Sequence, residues 1–210
     1  MIGAFVSNRL KSKFNQYSKV GVRSGMNGKE VAEAMLKHYN IHDVNIVQGK
    51  GVLTDHYNPR TKTIALSPPV YQGRHVSAAA VAAHECGHAI QHDTGYAMLQ
   101  LRSSIAPLVK YAAWAQQALL IIALTAMPSL LFVVLLAYVV TTAFSFVTLP
   151  VEFDASERAK DWLEQSGVAT GKEYDGVKDA LWWAAMTYVA AALSALITLL
   201  FLLWASRRRR

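Results

Sequence analysis

The chain has 210 residues, of which 53% are hydrophobic, a mean hydropathy of +0.21 and a net charge of +7. That length holds about one domain, and so large an apolar share is high for a soluble domain. The lone Cys86 excludes an intramolecular disulfide framework, and the basic residues lack the interleaved aromatics of a nucleic-acid patch, so no nucleic-acid partner is expected.

The opening "MIGAFVSNRLKSKF" has a short apolar start followed by Arg9, Lys11 and Lys13, the reverse of signal-peptide order. It reads as an interfacial segment or the stub of a membrane anchor. Residues 27–39 predict an amphipathic helix, with Asn27 and Glu30 at capping-box spacing and a stripe of Val31, Met35 and Leu36. "DVNIVQ", "GVLTDHY" and "KTIALS" predict short strands, joined through Gly49 and Gly51 and then through "NPRT". Ser77 is the expected cap of the alanine-rich helix that follows.

No charged residue occurs from Tyr111 to Val151. That run is too long for one span of about 20 residues and long enough for two short ones. "MPS" at 127–129 breaks it, which predicts a helical hairpin over 105–127 and 129–149, with Lys110 snorkelling to the interface. Pro150 is expected to open a new helix. Leu181–Trp204 reads as a third span, with Trp182, Trp183 and Trp204 as interfacial aromatics. Arg207–Arg210 read as a flank facing anionic lipid. The chain divides accordingly into residues 1–104, 105–149, 150–179 and 180–210.

Within "VAAHECGHAIQH", His84, Glu85 and His88 form H-E-x-x-H. Histidines at i and i+4 share one helical face, so two imidazoles can reach one zinc, and Glu85 is placed to take a proton from water there. A pair of satisfied core histidines is the alternative, but an unpaired glutamate in so apolar a helix would be costly. His92 continues the stripe, yet i and i+8 lie about 12 Å apart along a helix, so a second-shell or surface role is expected for it. Position 94, where one metallopeptidase pattern has a further histidine, is Thr94. Cys86 lies about 200° round the helix from His84, so packing is its expected role.

A third ligand must come from elsewhere, and "LPVEFDASERAKDWLEQSG" is the source. Glu152 is the first charge after the uncharged run, at the depth of the two histidines once the hairpin returns the chain. Asp154 could support a ligand from behind, and Glu157 lies further into a polar helix. All three also suit an acidic helix N-terminus that complements the dipole. His56 and Tyr57 sit on a strand that could pair with an extended substrate, where either could steady an oxyanion. A turn-flanking aromatic pair is the plainer reading of those two.

"HECGHAIQ", "LPVEFDASERA", the two-span insert between them and the upstream "DHYNPRTKTIALS" resemble the YugP-like neutral zinc metallopeptidases of membranes. The likeness runs roughly from Lys13 to Trp204, with a more distant outline of the prenyl-protein CAAX endopeptidases. Members usually open with a full span, where this chain has "MIGAFV". The resemblance implies an α+β fold: a zincin-like catalytic part, made of a small sheet plus the HExxH helix, merged with a transmembrane helical bundle of about three spans. It implies a gluzincin-type zinc metalloendopeptidase with His84, His88 and Glu152 on the zinc, Glu85 as base, and Asp154, His56 and His92 nearby. Peptide or membrane-protein substrates and a multi-pass place in a bacterial-type cell membrane are expected, with the site facing the cytoplasm. Two rivals stand beside it: a non-catalytic membrane protein with a structural zinc site, and a metal-dependent hydrolase of non-peptide bonds.

Overall fold

The alanine-rich stretch forms the middle of helix α4 (Val76–Asp93), where Ala78, Ala79, Ala80, Ala82 and Ala83 are almost wholly buried. Methyl side chains leave little to keep neighbouring helices apart, so α4 becomes the hub of the half that holds the sheet. The structure is a computed structural model that describes residues 2–207. Before α4 come α1 (Ile2–Tyr17), α2 (Gly28–His38), β1 (Asn45–Gln48), β2 (His56–Asn58), β3 (Thr63–Leu66) and the single turn α3 (Pro68–Tyr71). After it come α5 (Ala97–Thr125), a 3-10 turn (Pro128–Leu130), α6 (Leu131–Gln165) and α7 (Lys172–Arg207).

The strands lie in the order β1-β3-β2, with β1 parallel and β2 antiparallel to β3. β2 is therefore an edge of the sheet. α2 carries the expected capping box: the Asn27 side chain accepts from the Glu30 amide, and the Glu30 carboxylate accepts from the Asn27 amide. Its Val31, Met35 and Leu36 are buried against α4.

The start of α4 departs from expectation. His75, not Ser77, is the cap, its Nδ1 accepting from the Ala78 amide at 3.1 Å. Ser77 lies inside the helix and donates instead to the Phe14 carbonyl at 2.8 Å, tying α4 to α1. A buried hydroxyl must find an acceptor, and α1 supplies the nearest one.

Three helices are long and apolar enough to cross a membrane: Ala97–Ala123, Leu131–Gln165 and Lys172–Arg207. The first starts earlier than the expected hairpin does. Pro150 opens no helix, because α6 runs unbroken through it. A proline inside a helix is held there when neighbouring helices support the turn it weakens, and α4, α5 and α7 all pack on α6. At 35 residues α6 is about 52 Å long, well beyond a hydrocarbon core of about 30 Å. α6 and α7 thus each join an apolar half to a polar half that packs on α4. Of the basic tail, residues 208–210 lie outside the described residues.

Candidate metal centre

Gly95 ends α4 with φ at +65°, a left-handed turn that glycine adopts without a steric cost. The chain then folds back as α5 and brings Arg102 over the histidine face of α4. α6 reaches the same place by lying unusually close: a Cβ on Gly87 would stand 2.5 Å from the Ala155 carbonyl oxygen. Only at that separation does Glu152, one turn before Ala155, meet the histidines.

His84, His88 and Glu152 each turn one ligand atom inward, all within 4.8 Å of one another. Glu152 Oε2 lies 3.3 Å from His84 Nε2 and 3.6 Å from His88 Nε2. Ligand atoms held at about 2 Å from a tetrahedral zinc stand about 3.3 Å apart, so the spacing suits that metal. Glu152 is only 1% exposed, and its Oε2 has no hydrogen-bond partner among the described residues, a costly state for a buried polar atom that nothing else satisfies. Among the described residues no fourth histidine, cysteine or acid joins the group.

The outer contacts orient these atoms. Gln91 Nε2 donates to the Val151 carbonyl and to Asp154 Oδ2, at 2.8 and 2.7 Å. Its Oε1 must therefore accept from His88 Nδ1, 3.0 Å away, which leaves the Nε2 lone pair of that ring free for a cation. Ser156 Oγ lies 3.1 Å from His84 Nδ1. Arg102 Nη1 donates to Glu152 Oε1 at 3.1 Å, so only Oε2 remains available. Asp154 is bound in turn by Arg158 and reaches the centre only through Gln91.

Glu85 is 7% exposed and sits beside the three. Burial lifts its carboxyl above the usual range, against the opposing pull of His84 and His88. It borders two cavities, one of about 150 Å³ between α1, α4 and α7 and one of about 240 Å³ under α5. Tyr188 on α7 borders both and faces Glu152.

The other expected residues are placed apart from the cluster. His92 Nδ1 pairs with the Tyr57 hydroxyl at 2.8 Å, which occupies Tyr57. His56 borders the larger cavity with its Nδ1 2.9 Å from the Thr54 carbonyl oxygen. Glu157 is bound by Lys160 on the polar end of α6. Cys86 is wholly buried, its thiol 3.6 Å from the Ala32 carbonyl oxygen. Sequence reasoning missed Arg102, Tyr188, Gln91 and Ser156. The two charged or aromatic ones sit at the inner ends of apolar spans, where a polar group needs a partner; that was the available signal. Nothing local marks Gln91 or Ser156.

A family described as "Putative neutral zinc metallopeptidase" matches residues 1–207. A relative from Bacillus subtilis (strain 168), named "Putative membrane protease YugP", is 42% identical over 193 residues, covering 91% of this chain and 86% of the relative. No solved structure matches. With that likeness over nearly the whole chain and three convergent donors at its centre, the chain belongs to the neutral zinc metallopeptidase family, whose metal is zinc.

Proposed function

We propose that this chain is a membrane-embedded zinc endopeptidase, with His84, His88 and Glu152 as the zinc ligands and Glu85 as the general base. One observation carries the reading: two imidazole nitrogens converge on an orphaned carboxylate oxygen, with a buried Glu85 beside them and a cavity on either side. Zinc, when bound, supplies Lewis-acid polarisation of a carbonyl and makes water more acidic. Three protein donors leave a position open for this, whereas a structural site would be closed by four.

The residues of the chain do the rest. Glu85, with a carboxyl raised by burial, takes a proton from water and passes it to the leaving amine. Tyr188 places a hydroxyl where charge develops on the carbonyl oxygen. The free edge of β2 lets an extended peptide add as a further strand. Arg102 and Gln91 hold their ligands in one orientation. The substrate is then a peptide or a membrane protein presented at the bilayer surface. We place the site on the cytoplasmic side, where Arg9, Lys11, Lys13 and Lys19 of the catalytic half would lie.

The test is Glu85→Gln, which keeps size and hydrogen bonding but cannot accept the proton. The variant is expected to retain zinc near one per chain and to lose peptide hydrolysis by at least about a hundredfold. Zinc retained with unchanged hydrolysis removes Glu85 from the base role. Zinc and fold lost together favour the structural-site reading.

A further inference from the structure

The two cavities that meet at Glu85 differ in chemistry. The one under α5 is bordered by Arg102, His56 and Glu152. The one between α1, α4 and α7 is bordered mainly by Phe14, Leu53, Val81 and the three alanines Ala80, Ala180 and Ala184. Its volume of about 150 Å³ equals that of an engineered apolar cavity that takes up benzene. One charged side chain besides the catalytic group borders it, Asp55, and the oxygens of Asp55 are taken by the amide and hydroxyl of Ser67 at 2.7 to 3.0 Å. The hydroxyls of Ser77 and Thr187 donate to the Phe14 and Ala184 carbonyls, so the polar groups left for a guest are His84, Glu85 and the Tyr188 hydroxyl, and the rest of the wall is apolar.

Such a space is normally closed by packing, since lining atoms without partners lose their contacts. Here it is kept open by small residues on facing helices, Ala80 on α4 against Ala180 and Ala184 on α7. His84 and Glu85 stand at its mouth.

Resting on the peptidase reading above, we propose that this slot selects substrates by admitting one large apolar side chain, of leucine, methionine or phenylalanine size, from the residue beside the scissile bond. The volume sets the size and the alkyl and aromatic walls set the polarity. Continuity with Glu85 sets the place, because a side chain seated in the slot brings its own backbone to the reacting atoms. A larger indole or a charged group meets the alanine floor or an unpaired apolar wall. Filling a well-matched apolar pocket separates side chains by about 10–200-fold.

The experiment uses the full-length, zinc-loaded protein in lipid vesicles and a peptide library randomised on both sides of a central bond, with cut sites located by mass spectrometry. Cuts are expected beside leucine, methionine or phenylalanine at one fixed position, at least about tenfold above alanine, aspartate or lysine there. Ala184→Leu fills the slot and is expected to lower the ratio of large to small residues at that position at least about tenfold. Val81→Ala widens it and is expected to raise the ratio of phenylalanine to leucine. The ratios are internal to each variant, so a partly unfolded preparation does not change them. If the wild type cleaves with no apolar preference, or neither variant changes its ratio, the slot is not the selecting site and the peptidase reading stands. If the wild type cleaves no member of the library, the peptidase reading itself falls, and this inference with it.

Discussion

Glu152 has two oxygens and two kinds of neighbour, and that division is what makes it a one-atom donor. Arg102 takes Oε1, while Oε2 is left to face His84 and His88. Gln91 does the equivalent for His88 by fixing which ring nitrogen carries the hydrogen. Outer contacts of this kind are worth about 10–100-fold in metal affinity. Arg102→Met and Gln91→Leu are therefore each expected to weaken zinc binding by about that factor, read by competition against a chelator at fixed pH. Glu152→Gln should weaken it further, since it removes a charged donor. Unchanged affinity in Arg102→Met and Gln91→Leu would show that packing alone orients the ligands.

At the scale of elements, the site depends on how near α6 can come to α4. Gly87 lies between His84 and His88 in sequence after Cys86, on the face turned to Ala155. A methyl group there would stand 2.5 Å from the Ala155 carbonyl oxygen and 3.0 Å from its Cα, both of them backbone atoms that cannot turn aside. Gly87→Ala should separate the helices, cost about 1–3 kcal/mol as overpacking does, and lower zinc content because Glu152 moves with α6. Gly3, with nothing within 4 Å of a built Cβ, is the matched control, and Gly3→Ala should leave both thermal stability and zinc unchanged. Equal effects of the two substitutions would remove the close approach as the cause. The Gln116 side chain donates to Thr141 Oγ1 and gives α5 and α6 a polar tie within their apolar stretches.

At the scale of the whole molecule, the three helices long and apolar enough to cross a membrane put the 127–130 turn and the end of α7 on one side and the metal centre on the other. Basic residues lie on both sides, Arg9 to Lys19 on the side of the centre and Arg207, at the end of α7, opposite. With the centre in the cytoplasm, Ser129→Cys and Ser206→Cys, each in a Cys86→Ala background, should react together with an impermeant thiol reagent on intact cells. Lys62→Cys, beside β3, should react only after the membrane is opened. The opposite pattern reverses the orientation and leaves the chemistry of the centre intact.

What the residues alone determine is whatever a single stretch of backbone can decide. H-E-x-x-H places two histidines one turn apart wherever the helix goes, and Asn27 with Glu30 caps α2 from within four residues. The uncharged runs mark three long apolar helices by length and polarity, with no reference to their neighbours. Glu152 could be named as a candidate, because it is the first charge after such a run, but Asp154 and Glu157 fitted the same local pattern. Separating them took the rotation of α6 against α4, which follows from Gly87 meeting Ala155, 68 positions along the chain. The same holds for Arg102, Gln91, Tyr188 and the slot beside Glu85, each a meeting of helices far apart in sequence. It holds for Pro150 too, where a local breaker stays helical because three other helices pack on α6. Periodicity lies within a segment and is read from it, whereas the partners of a side chain are chosen by packing, and only the tertiary structure decides those.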